Sequence, residues 1–134
     1  MCSGTCSTTM SSAPRAIVAG HGGFAAGLLS AVEQITGLSD RLVPLSNNGL
    51  SPAGVDAALR ELIEASGTRI VFTDLPAGSC TLAARRIARD LPDLVVITGV
   101  SLPTLLTFVC GADVDTAVGR GREALQRLEA PRGT

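Results

Sequence analysis

Lysine is missing from this chain of 134 residues; its 11 basic side chains are all arginine. Schiff-base chemistry and a phosphate-loop lysine are thereby excluded. Tryptophan and tyrosine are missing as well, and only three phenylalanines occur. Stacking on nucleobases or on a flavin has little to work with. There is no excess of positive charge: 11 basic residues face 12 acidic ones, for a net charge of −1. A nucleic-acid partner needs a basic footprint, so none is expected. No apolar run reaches the roughly 18 residues of a membrane span. No basic segment leads into an apolar one in the manner of a secretory signal. A cytoplasmic protein is expected.

Cysteine is sparse and scattered, at positions 2, 6, 80 and 110. With a single histidine, these do not make four ligands at zinc spacing, and no metal site is expected. Cys2 and Cys6 fall in a Ser/Thr-rich start without periodicity, so residues 1–13 read as a flexible N-terminus. Residues 14–134 read as one domain. Cys80 and Cys110 stand isolated, which suits a reducing compartment.

Hydrophobic residues make up 46% of the chain and charged residues 17%, a composition that folds. Strand and helix patterns alternate along it. Ala16-Ile17-Val18-Ala19 is a continuous apolar run ending at Gly20, the mark of a strand covered on both faces. Phe24, Leu28, Val32 and Ile35 then recur at helical spacing up to Gly37, a C-terminal stop. Leu42 to Leu45 is a weaker strand, and its Pro44 points to a sheet edge. Ser51-Pro52 opens a helix striped by Val55, Ala58, Leu59, Leu62 and Ile63 and closed by Gly67.

Ile70 to Thr73 is the third strand, followed by Asp74 and a loop to Ser79, an expected N-cap. Leu82, Ala83, Ile87 and Leu91 stripe the next helix, which stops before Pro92. Leu94 to Thr98 is the fourth strand; a short apolar helix follows, ending near Gly111. Asp113 caps a last helix with Val114, Ala117, Val118, Gly121, Leu125 and Leu128 on one face. Such alternation predicts an α/β fold: a single-domain, doubly wound, mainly parallel sheet with helices on both faces. The order 2-1-3-4 puts the weak second strand at an edge. The segment after Gly119 is open to a second role, as an antiparallel edge strand swapped between subunits.

In that order ligands bind beyond the carboxyl ends of the first and third strands. His21, the only histidine, follows the first strand in Gly20-His21-Gly22-Gly23. A lone histidine is ordinarily a surface or satisfied core residue. Here glycines flank the ring, so the backbone can turn tightly and a partner can come close. Asp74 ends the neighbouring strand. Its carboxylate can accept from one imidazole nitrogen, fix the tautomer and leave the other nitrogen as nucleophile. Ala77-Gly78-Ser79 opens a helix whose N–H groups and dipole favour an anion. A nucleophilic histidine, an orienting aspartate and an anion cradle together suit a phosphohistidine.

Nucleotide binding is not expected, since neither a Walker lysine nor a GxGxxG after a strand is present. A GxSxG elbow is absent too. Cys80, at a helix start that would lower its pKa, is a competing nucleophile, although the only histidine lies on another loop. A further competitor is a regulatory or ligand-binding module on a flavodoxin-like scaffold. Arg85, Arg86 and Arg89 form a basic face, read either as solvated surface with Asp90 nearby or as a docking face.

Three segments carry a resemblance. Ala16 to Gly27, AIVAGHGGFAAG, resembles the opening of the EIIA component of the mannose family of the sugar phosphotransferase system (PTS). Val71 to Cys80, VFTDLPAGSC, is similar to that family's second motif, an Asp, two residues and Gly-Gly-Ser-Pro. Ile97 to Pro103, ITGVSLP, is similar to its third, Gly-Val-Asn-Leu-Pro. Order and spacing agree over about residues 15–128. Ala77, Cys80 and Ser101 depart from the family wording; Ser101 is shorter than the usual Asn yet able to cap or donate.

The resemblance implies a phosphotransferase component in which His21 is phosphorylated. Asp74 would be its carboxylate partner and Ser79 the phosphate-side hydroxyl, with Gly22 and Gly78 in the phosphate cradle. It implies HPr as donor and an EIIB domain as acceptor, contact with the membrane only through the sugar permease, no cofactor, and a homodimer. The Gly20 to Ala25 wording is similar to members serving amino-hexose uptake, such as N-acetylgalactosamine. A related alternative is the phosphotransfer subunit of dihydroxyacetone kinase, whose wording has His-Ser and a shorter Asp-Leu-Gly-Ser.

Overall fold

The computed structural model describes residues 15–133. The expected flexible N-terminus, with Cys2 and Cys6, lies outside the described residues. The strands are β1 (Ala16–Gly20), β2 (Leu42–Ser46), β3 (Ile70–Thr73) and β4 (Val95–Ile97). The helices are α1 (Phe24–Thr36), α2 (Pro52–Ser66), α3 (Ser79–Asp90), α4 (Leu102–Val109) and α5 (Val114–Ala124). The strands pair in the order β2-β1-β3-β4, all parallel. Ile17 of β1 stands beside Val43 of β2 and Val71 of β3. This is the expected doubly wound sheet, and no antiparallel strand occurs among the described residues.

Strand alternation divides the core in two. Ala16, Val18 and Phe72 face α1, α4 and α5, meeting Val32, Leu105, Phe108 and Ala117. Ile17, Ala19 and Val71 face α2 and α3, meeting Leu59, Ile63, Ala83 and Ile87. All of β1 is buried because it has a strand on each side and helices above and below. On the first face Phe72 meets Phe108 edge to face, with ring centroids 5.3 Å apart. Arg15 lies over the Phe108 ring at 4.5 Å.

Local punctuation works as its chemistry dictates. Ser51 accepts from the Gly54 N–H at the start of α2, and Asp113 accepts from the Thr116 N–H at the start of α5. Gly37 and Gly67 end α1 and α2 in the left-handed region, both at φ 72°.

Four expectations need correction. Ile35 and Leu82 are exposed rather than core-facing. Ala83 and Ile87 of the expected α3 stripe are buried, Leu91 packs beside them, and Cys80 and Ala84 complete the buried side. Leu125 and Leu128 do not lie on the last helix: α5 ends at Ala124, and both leucines are exposed, at 90% and 79%. Cys110 does not stand alone; it is disulfide-bonded, whereas Cys80 is a free, buried thiol. Cys110 therefore gives no support to a reducing compartment. Among the described residues no helix is long and apolar enough to cross a membrane.

Candidate functional site

The central strands β1 and β3 end side by side, and each hands its chain to a loop that leads into a helix. His21 is the first residue after β1, and Asp74 the first after β3. Their side chains meet: His21 Nδ1 lies 2.7 Å from Asp74 Oδ2. The same oxygen accepts from the His21 backbone N–H at 2.9 Å, and Asp74 Oδ1 accepts from the Leu75 N–H at 2.8 Å. Close approach here depends on Gly20. A Cβ at that position would come 2.7 Å from the Phe24 ring and 2.9 Å from Asp74 Oδ2. Gly22, at φ +53°, then turns the chain into α1.

Electrostatics fix the roles. Burial pushes the Asp74 carboxyl upward, but the bonds from the His21 ring, the His21 backbone and the Leu75 backbone outweigh it. The net effect holds Asp74 below its ordinary value, so it is an anion near neutral pH. A carboxylate only accepts, so Nδ1 carries the ring proton. The lone pair of the neutral ring is then on Nε2. The His21 side chain is 53% exposed, against 9% for Asp74. A half-exposed ring is thus held by a carboxylate that is nearly buried.

Beside the ring begins α3. Gly78 is its N-cap residue and Ser79 its first residue, so the cap is Gly78 and not Ser79 as expected. A Cβ on Gly78 would lie 3.3 Å from His21 Cε1 and from Asp74 Oδ1. The Gly78 N–H donates to the Leu75 carbonyl at 3.1 Å, so Gly78 supplies room rather than a donor. The first turn of α3 closes with Leu82 N–H on the Gly78 carbonyl. That leaves the N–H groups of Ser79, Cys80 and Thr81 without intrahelical partners, at the positive end of the helix.

Thr81 Oγ1 donates to the Leu75 carbonyl at 2.5 Å and lies 2.6 Å from Thr73 Oγ1, fastening the loop to β3. The third motif joins at the same edge, where Val100 N–H donates to the Thr73 carbonyl at 3.0 Å. Ser101 makes no side-chain cap to α4; its hydroxyl lies 3.2 Å from Thr104 Oγ1.

One contributor was missed in the sequence. Asn47, just beyond β2, donates from Nδ2 to Ser79 Oγ at 3.1 Å, and its N–H bonds the Gly20 carbonyl at 3.1 Å. In Ser46-Asn47-Asn48-Gly49 it reads as an ordinary turn residue; only the β2–β1 pairing carries it to the site. Cys80 is overturned as a nucleophile. It is fully buried; burial and then the Asp74 charge push its thiol upward, against a smaller lowering by Ser79. Of the basic face, Arg86 is committed to Asp56 of α2 at 3.0 Å, and Asp90 pairs with Arg60 at 3.0 Å. Arg85 and Arg89 are exposed.

Comparison with known proteins identifies the family. The EIIA-man family, described as the PTS system fructose IIA component, matches residues 15–126. The fold is similar to a mannose/sorbose specific IIA subunit from Enterococcus faecalis (TM-score 0.77, 21% identity, 90% of this chain and 98% of that one). It is similar to a PTS IIA protein associated with the fucose utilization operon of Streptococcus pneumoniae (TM-score 0.76, 25% identity, 88% and 96%). A phosphotransferase system component EIIA from Streptococcus agalactiae is also similar (TM-score 0.65, 27% identity, 81% and 89%). No curated protein matches the chain significantly. With the family match running from the start of β1 to just past α5, this chain belongs to the EIIA-man family and is a IIA component of a sugar phosphotransferase system.

Proposed function

We propose that the protein is a phosphohistidine relay, taking a phosphoryl group from phospho-HPr onto His21 and passing it to an EIIB domain for sugar uptake. The observation that carries this reading is the 2.7 Å bond from His21 Nδ1 to a carboxylate, on a ring that is half exposed. The Nε2 lone pair attacks phosphorus while the bond from phosphorus to the donor imidazole breaks, its electron pair returning to the donor nitrogen. The loaded His21 ring is cationic in character, and Asp74 is already in position to stabilise that charge. Ser79 and the free N–H groups of α3 face the incoming phosphoryl oxygens, and Gly22 and Gly78 leave space for them. An open site suits this chemistry, since both partners are proteins that must reach the same nitrogen.

The exposed segment beyond α5, with Leu125 and Leu128, and the outer edge of β4, which pairs with no strand among the described residues, support a homodimer. In it each segment covers the partner's edge as an antiparallel strand. The assembly is read by sedimentation, where a 13.6 kDa particle at micromolar concentration would exclude it. The proposed cargo is an amino-hexose, on the wording of residues 20–25, and uptake of N-acetylgalactosamine in a strain lacking this chain tests it.

The relay itself is tested with enzyme I, HPr and phosphoenolpyruvate. One phosphoryl group is expected per chain, labile in acid and stable in base, and none on His21→Ala. Label retained by folded His21→Ala would overturn the assignment.

A further inference from the structure

Ser79 Oγ accepts a hydrogen bond from Asn47 Nδ2 at 3.1 Å. That bond can run in only one direction. An amide nitrogen has two protons to give and no lone pair to offer, whereas a hydroxyl has one proton and two lone pairs. Asn47 therefore occupies a lone pair of Ser79 without taking up the hydroxyl proton, whose other neighbour is the weakly accepting Cys80 sulfur. Asn47 is itself held at both ends of its peptide: its N–H bonds the Gly20 carbonyl at 3.1 Å, and its carbonyl accepts from Leu50 N–H at 3.1 Å. The amide is thus tied to the residue that directly precedes His21.

The ring geometry says where that proton is needed. Nδ1 is taken by Asp74, and the Cε1 edge faces Gly78. Nε2 is the ring atom next to Cε1, so a group on Nε2 emerges beside the first residues of α3.

We infer that Asn47 is a positioning residue for phosphoryl transfer: by donating to Ser79 Oγ it turns the Ser79 proton toward the phosphoryl oxygens on His21. It does for the hydroxyl what Asp74 does for the imidazole, selecting by hydrogen bonding which atom stays available. The inference rests on the relay reading above. It adds the β2 loop to a site otherwise built from β1 and β3.

The test measures single-turnover transfer from phospho-HPr, with kcat and KM, for wild type, Asn47→Ala, Ser79→Ala and the double variant. Asn47→Asp serves as a same-shape control. Losing one oriented donor is expected to slow transfer by about tenfold. Asn47→Ala should lower kcat with little change in KM, and should have no further effect once Ser79 is alanine. Asn47→Asp, which offers acceptors where Nδ2 donated, should draw the Ser79 proton inward and be at least as slow. The 31P resonance of phospho-His21 should move in the same direction in Asn47→Ala and Ser79→Ala. The inference fails if Asn47→Asp transfers at the wild-type rate, or if the Asn47→Ala penalty adds in full to that of Ser79→Ala. A wild-type protein that takes up no phosphoryl group would instead sink the relay reading itself.

Discussion

Gly78 and Gly121 both stand where a side chain would crowd a neighbour. At Gly78 the neighbours are the His21 ring and the Asp74 carboxylate, each 3.3 Å from where a Cβ would sit. At Gly121, in α5, the neighbour is Thr104 of α4, whose Oγ1 a Cβ would overlap, with Ser101 Oγ at 3.3 Å. The first closeness brings polar groups together at the open carboxyl edge of the sheet. The second lets two short helices touch and close one half of the core. Side chains at the edge are expected to govern transfer rate, and those between α4 and α5 to govern stability.

The largest effect is expected at Asp74. Asp74→Asn keeps the size but weakens the acceptor, and its amide can donate where the carboxylate accepted. Transfer from phospho-HPr should slow by about a hundredfold or more, roughly 2.7 kcal/mol of barrier. Stability at neutral pH should change by about 1 kcal/mol or less. A rate within a factor of two of wild type would mean that something other than Asp74 orients His21.

Gly121→Ala should do the reverse. Thr104 is buried and its side chain is short and branched, so relieving the contact takes a change of rotamer or a shift of α5 against α4. Overpacking of this kind costs about 1–3 kcal/mol. Urea denaturation should show that loss, and Thr104→Ala in the same chain should recover part of it, because it removes the atom in the way. Single-turnover transfer by the folded fraction should stay at the wild-type rate. A slowed rate without lost stability would break the division between the two regions.

The two regions also differ in how far the sequence reveals them. Strands β1 and β3 are legible as apolar runs because both faces are covered, and their order follows from Pro44 marking β2 as an edge. The His21–Asp74 pair is legible because parallel strands deliver their next residues to one edge. Asn47 is not, since nothing local separates a site residue from a turn former; its role exists only through the β1–β2 pairing. Helical spacing says which residues share a face, not how far a tertiary partner extends. Leu125 and Leu128 keep the period of α5, but among the described residues nothing buries them, and the helix stops at Ala124. Leu82 alone leaves the expected stripe of α3: Cys80, Ala83, Ala84 and Ile87 pack against the sheet, and the neighbouring leucine is turned outward.

The smallest effect sharpens the comparison by pH. The Asp74 carboxyl is held below its ordinary value in the folded protein. A group with a depressed folded pKa contributes stability that is fully present above its unfolded value, about 3.9 for aspartate. That contribution fades as pH falls through the lower folded value, because the unfolded chain takes up the proton first. Asparagine at 74 carries no such dependence. Wild type should therefore lose ground to Asp74→Asn as urea midpoints are followed from pH 6 down through about 3.9 and below. The clash created by Gly121→Ala involves two hydroxyl side chains and no carboxylate, so its deficit should stay constant over the same range. Parallel pH curves for wild type and Asp74→Asn would mean that the bonds from His21 and Leu75 hold Asp74 by its shape and not by its charge.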